Sequence, residues 1–173
     1  MARLSGRPAL PEGFGGRLDA DEHVVSVAEL ARGGHLVLTQ RGLWVPEGAD
    51  ARRVGWEWIS KAVWDRGALL VTEAVADGDA GDAVVLRDLP PRRFVLADAG
   101  RVPEVVRERV TGSIRSSQHR ELPGGGAWFV QRKVPGRDGV VLQVRPDPGT
   151  QSDAVRVVAA EVATRMRQAR PQP

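Results

Sequence analysis

A chain of 173 residues, 42% of them hydrophobic, is long enough for one domain plus a small extension and can bury a substantial core without crosslinks. It has no cysteine, which excludes disulfides and thiolate chemistry, and no apolar run approaches the roughly 20 residues of a membrane-spanning helix. The net charge is only +3 although the pI is near 10.4; with no Tyr, no Cys and two lysines (Lys61 and Lys133), few groups titrate between neutral pH and the arginine range, so the pI overstates the basicity.

Residues 1–17 are dense in Pro and Gly and lack apolar periodicity, so a flexible N-terminal arm is expected there. They contain no continuous apolar segment and do not read as a signal peptide, which makes a cytoplasmic protein the default expectation. From His23 to Leu96 short apolar runs alternate with turn residues. HVVSVAEL reads as a strand with Val24, Ser26 and Ala28 on one face and His23, Val25 and Val27 on the other. HLVLT and GLWV are joined by Gln40 and Arg41 alone, a link so short that the two strands must pair antiparallel. ARRVGW, ISKAVWD, ALLVTEA, AVVLRD and RRFVLA continue the series, with ADGDAGD and LPP as separators. The spacing predicts seven or eight strands in an antiparallel sandwich or barrel.

A helix is expected next, with Pro103 and Glu104 in its first turn and a stripe of Val102, Val106, Val110 and Ile114 beside Val105. After Leu122-Pro123 and a run of glycines, AWFVQRKV and VVLQVRP flank PGRDG, a hairpin signal. Ser152 or Asp153 can cap a final helix whose stripe is Val155, Val158, Ala159, Val162 and Met166. A hairpin and one helix are too small to be stable alone, so residues 119–173 are expected to pack as an extension on a main domain of residues 18–118. Charge is uneven across these parts: three Arg and one Glu make the arm +2. The body has 13 basic and 16 acidic groups, or −3, and the final segment nine and five, or +4.

HLVLTQRGLWV, a strand, a Thr-x-Arg turn and a second strand, precedes an Arg-rich strand. VGWEWISKAVWD follows with a Trp-x-x-Ile step at Trp56 and Ile59, and PEVVRERVTGSI sits where a closing helix belongs. On these segments residues 18–118 resemble the bacterial form of the pleckstrin-homology-like superfold. The helix followed by a glycine-rich hairpin and a short helix is similar to an actinobacterial family. The resemblance implies a mainly β (α+β) fold, an antiparallel sandwich or barrel closed by one helix, acting as a binding or assembly module without chemistry of its own. It also implies where a phosphoinositide site would lie, between the first two strands. That link is ELARGG, with Arg32 as its only basic residue, so a phosphoinositide partner is not expected.

The chemical candidates have plain readings beside the sharp ones. His23, His35 and His119 are dispersed and form no metalloprotease pair, and no cofactor or metal is expected. Asp77, Asp79 and Asp82 hint at a calcium loop, but Gly81 and Asp82 stand where an acid or amide and then a glycine belong, which favours a solvated turn. Gly124 to Gly126 precede no Lys-Ser or Lys-Thr and read as a flexible joint rather than a phosphate loop. Ser113, Ser116 and Ser117 lack a nucleophile elbow, and the carboxylates Asp19 and Asp21 fall in a connector. No catalytic motif remains, and an enzyme is not expected.

Two groups of residues are left as contact candidates. Gly55 and the Trp56-to-Ile59 spacing suggest a turn that places Trp56 in the core and leaves Trp58 at least partly exposed, with Trp44 a second candidate for contact. Arg132, Lys133 and Arg137, with Arg120, Arg165, Arg167 and Arg170, would form the basic surface of a nucleic-acid or small-ligand binder. The leading expectation is a protein-interaction or assembly module, with a protein partner or self-association through a sheet edge or the Trp-bearing loops.

Overall fold

The computed structural model describes residues 6–171 and is mainly β, with eleven strands and two helices among those residues. The chain forms two compact units. One comprises the residues up to Glu73 together with Pro90–Thr111, the other Ala74–Leu89 together with Gly112 onward.

In the first unit β1 (Val24–Glu29), β2 (His35–Thr39), β3 (Gly42–Glu47) and β4 (Asp50–Gly55) form an antiparallel sheet in chain order. Gln40 and Arg41 make the expected tight turn between β2 and β3. A single 3-10 turn, Trp56–Trp58, then redirects the chain into β5 (Ile59–Asp65). β5 pairs with β6 (Ala68–Ala80) across Arg66 and Gly67, both at positive φ (48° and 77°), the backbone of a type I′ hairpin. β7 (Ala83–Asp88) follows, and β8 (Arg92–Val95) returns to pair with Ala68–Val71 of β6. An antiparallel bridge between Leu30 and Leu96, with bonds of 2.9 Å from the Ala31 N–H to the Val95 carbonyl and from the Ala97 N–H to the Glu29 carbonyl, ties β1 to β8. The two sheets of this unit thus curl toward each other.

Between them lies one core: Leu36, Leu38, Leu43, Val45, Val54, Trp56, Ile59, Leu69, Val71 and Phe94 meet Val102, Val105 and Val106 of α1 (Val102–Ser113). The outer face of the first sheet is buried as well. Val24, Val37 and Trp44 lie there under Phe14 and Leu18. Burial on both faces is why HLVLT and GLWV are continuous apolar runs rather than alternating ones. The bulge between Val24 and Ser26 shifts the phase of β1, so Val24 and Val27 face the outer cluster while Val25 and Ala28 face the core. The face assignment expected from strict alternation fails for that reason.

The second unit holds Ala74–Ala80 of β6, then β7, β11 (Val140–Pro146), β10 (Gly125–Lys133) and β9 (Ile114–Leu122), in that order across the sheet. All neighbours are antiparallel except β7 and β11, which run parallel. α2 (Ser152–Gln168) lays Val155, Ala159 and Ala163 on Ala83, Val85, Ala127, Phe129, Leu142 and Val144. The hairpin-and-helix segment therefore belongs to a five-stranded unit built with the β6–β7 hairpin. The division at residue 118 expected from sequence is replaced by one in which residues 74–89 belong with the C-terminal part.

Several local expectations change. Ile114 does not extend the helical stripe: α1 ends at Ser113, and Ile114, 39% exposed, opens β9. ADGDAGD is not a loop; β6 runs through Asp77 and Asp79 with a bulge that Gly78 (φ 115°) accommodates, and the turn is only Gly81-Asp82. Gly124–Gly126 is not a loose joint. Pro123-Gly124, with Gly124 at φ 86°, is a two-residue hairpin turn, and a Cβ on Gly126 would stand 2.6 Å from the His119 ring. The N-cap position of α2 is Gln151, with no side-chain capping bond, rather than Ser152 or Asp153. Within the arm, residues 1–5 lie outside the described residues, whereas Phe14 packs edge-on against Trp44 with ring centres 5.4 Å apart.

Candidate functional site

The tryptophans separate into structural and surface positions. Trp56 is 1% exposed and donates its indole N–H to the Thr39 carbonyl at 3.0 Å, as expected for the core. Trp58 is half-buried against the same core. Trp44 is only 8% exposed, so it is removed from the contact candidates: Phe14 covers its ring and the Arg53 guanidinium stacks 5.7 Å from its centre. Trp64 and Trp128 are the exposed ones, at 41% and 43%.

Asp19 and Asp21 lie in the connector before β1, as expected, and help to fasten the N-terminal segment to the sheet. Arg41 binds Asp19 at 2.8 Å and Asp21 at 2.7 Å, and Arg53 binds Asp19 at 3.0 Å and Glu22 at 2.6 Å. The Glu22 carboxylate is enclosed and accepts from the Thr39 hydroxyl (2.6 Å) and the Trp44 indole (2.9 Å), and from the Asp19 backbone N–H (3.1 Å). Burial pushes its carboxyl up, but these bonds and the Arg53 charge outweigh burial and hold it below the usual range. The Arg53 bond and charge, followed by the Arg41 charge, likewise lower Asp19 against a smaller opposing effect of burial. On β4, Arg52 grips Glu73 of β6 through two bonds of 2.8 and 2.9 Å and also Glu47, and the Glu73 bond raises its already high pKa. These carboxylates are committed to arginines, an arrangement that fastens segments together.

The expected basic surface of the C-terminal part is dispersed. Arg132 is only 3% exposed and drops out of it. Arg167 is paired with Asp82 at 2.6 Å, Arg120 lies over the Phe129 ring at 5.7 Å, and Arg170 bonds the Val140 carbonyl at 3.3 Å. Lys133 and Arg137 are exposed on the β10–β11 hairpin, and Arg165 on α2. Asp77 and Asp79 are exposed on β6, apart from the Asp82 ion pair. Among the described residues no three His, Cys, Asp or Glu side chains gather as a metal site.

Two surface features come from the fold and not from any motif. An open groove of about 410 Å3 in the first unit is lined by Leu30, Arg32, Gly33, Arg93, Phe94 and Val95. Neither Arg32 nor Arg93 has an ion-pair partner among the described residues. The second feature is β9. It is nine residues long and lies at the end of its sheet, with β10 on one side. Seven of its residues are exposed, and among the described residues no backbone bond reaches its outer edge. On one face His119 stacks edge-on against Trp128 (5.1 Å) and bonds Asp147 at 2.6 Å; on the other Arg120 covers Phe129.

Sequence reasoning missed β9 because IRSSQHREL has no apolar alternation. The signal was its frame: nine residues free of Gly and Pro, followed by Pro123-Gly124 and then a strand of equal length. A search of family models, of curated proteins and of solved structures finds no significant match to this chain.

Proposed function

We propose that the protein is a non-catalytic interaction or assembly module whose contact element is the outer edge of β9. The observation that carries this reading is the open edge itself. A strand end of a sheet presents unpaired N–H and C=O groups that template another strand, and proteins that do not use an edge blunt it with prolines, inward charges, bulges or a covering element. β9 has no Pro and no Lys; it carries the exposed charges Arg115, Arg120 and Glu121, and its only register slip is at Arg115, beside its first residue. Seven consecutive residues, Ser116–Leu122, remain regular. Its polar side chains keep the lone molecule from sticking unspecifically while leaving the backbone free for strand addition.

A pleckstrin-homology-like assignment for the first unit is part of the proposal. It is supported by the order β1-β2-β3-β4 in one sheet, by β5 and β8 flanking β6 in the other, and by α1 following β8 in the chain. In this reading β7 and the rest of the second unit are what the chain adds to that plan.

Affinity capture from the native organism tests the contact element, with the wild-type chain and a Ser117→Lys/Gln118→Lys variant as baits. Both side chains are exposed, so the variant keeps the fold and blocks the edge. A captured species lost with the variant supports the reading. The same species captured equally by both baits overturns it.

A small-anion site is the second reading, favoured by Arg32 and Arg93 on the groove. Binding of inorganic phosphate that is lost on Arg93→Ala would support it, and no heat of binding in a calorimetric titration would dispose of it.

A further inference from the structure

Resting on the reading of β9 as the contact edge, we infer that its partner is β9 of a second copy, paired antiparallel about a two-fold axis through Gln118.

In an antiparallel pair, opposite residues point to the same face of the sheet. A two-fold axis normal to the sheet therefore needs one residue facing itself, and each choice of that residue fixes the whole register. From Ser116 onward, beyond the slip at Arg115, the even residues of β9 share the face of α2: Leu122 packs in its core and Arg120 lies over Phe129. The odd residues share the other face, where His119 meets Trp128.

Placing Gln118 on the axis sets Ser117 against His119, Ser116 against Arg120 and Arg115 against Glu121. No like charges then face each other, and the single acid of the strand meets an arginine twice, once on each side of the axis. A shift to Ser117 on the axis puts Arg115 against His119 and leaves Glu121 opposite helix residues. A shift to His119 leaves Arg115 opposite Pro123. The His119 register pairs Ser116–Leu122 within itself but sets the two His119 rings against each other and Glu121 against Ser117, whereas the Gln118 register gives Glu121 an arginine, Arg115 at the slip. Arg115 and Glu121 are both exposed and have no ion-pair partner among the described residues, so the pair is available. Joining two edges also removes the exposed strand end from both copies.

A single pair of strands buries little beside the roughly 1,200–2,000 Å2 of a standard interface. The dimer is accordingly weak, with half-association expected on the order of 10–100 µM.

The cysteine-free chain makes the register directly testable. Opposite Cα atoms in an antiparallel pair are about 4.5–5.5 Å apart, within disulfide reach. Positions 116 and 116 of two copies would stand about 13 Å apart, four residues of strand rise. Under mild oxidation of the full chain, Gln118→Cys is expected to form covalent dimer at least tenfold faster than Ser116→Cys or Arg120→Cys alone. A mixture of those two variants is expected to crosslink like Gln118→Cys.

Charge reversal gives an independent reading that needs no cysteine. Arg115→Glu and Glu121→Arg should each weaken association in sedimentation about fivefold, since the pair occurs twice, and the double reversal should restore it. Equal crosslinking at 116, 118 and 120, or a double reversal no better than the singles, overturns the register. A wild-type chain that stays monomeric at about 1 mM while β9-dependent capture of a different protein persists overturns self-pairing but leaves the contact edge standing. Loss of both removes the proposed function with it.

Discussion

Replacing Glu22 by Ala tests how the N-terminal segment is held to the first sheet. The carboxylate is fully enclosed and accepts the Thr39 hydroxyl, the Trp44 indole, the Asp19 N–H and one Arg53 nitrogen. Without it the Trp44 N–H, in a buried side chain, loses its acceptor, a loss of about 1–3 kcal/mol. Thr39 retains only a longer contact of 3.4 Å to the Gly42 carbonyl, and losing its short bond costs about 1 kcal/mol. Arg53 is 30% exposed and keeps Asp19 at 3.0 Å, so its contribution is small. The sum is about 3 kcal/mol against the first unit. Urea unfolding followed by tryptophan fluorescence should show this as a lower midpoint with an unchanged slope. A loss under about 1 kcal/mol would refute the reasoning. The same group sets a pH dependence. Its carboxyl is more acidic folded than unfolded, so the stability it contributes is present above the ordinary value of 4.5 and is lost as pH falls through the lower folded value. The difference between wild type and Glu22→Gln should therefore be constant near neutral pH and shrink on acidification below about 4.5.

Other substitutions probe the core, a turn and a close approach. Trp56→Ala should cost about 3–5 kcal/mol in urea unfolding, while Trp58→Ala costs clearly less; equal losses would contradict the half-buried placement of Trp58. Arg66→Asn should stabilise the chain by roughly 0.5–1 kcal/mol, because Asn tolerates the positive φ of the β5–β6 turn better than Arg; a destabilised variant would argue against a type I′ turn. A Cβ on Gly16 would stand 2.6 Å from the Trp44 ring, so Gly16→Ala should loosen the N-terminal segment and shift tryptophan emission to longer wavelength; unchanged emission would contradict the contact.

The sequence carried the eight strands of residues 24–95 because each is an apolar run bounded by turn chemistry, and it carried Trp56 because a turn at Gly55 separates it from Trp58. It misplaced features whose causes are non-local. The parallel β7–β11 pairing joins residues 59 apart, and no periodicity announces it. Arg132 and Trp44 read as contact residues because strand alternation gives a face without saying what covers it; Trp44 lies under Phe14 from a segment that looked featureless. β9 escaped because polar edge strands lack the apolar signal by which strands are found. The candidate contact edge was thus the least legible element of the chain.

Amide hydrogen exchange across residues 114–122 is the most direct measurement of the central claim, made on the dilute chain and on its assembled form. The account predicts that the outward-facing amides of β9 exchange fast in the dilute chain and become protected on assembly, while β5 is unchanged. Unaltered exchange in β9 with new protection elsewhere would contradict it.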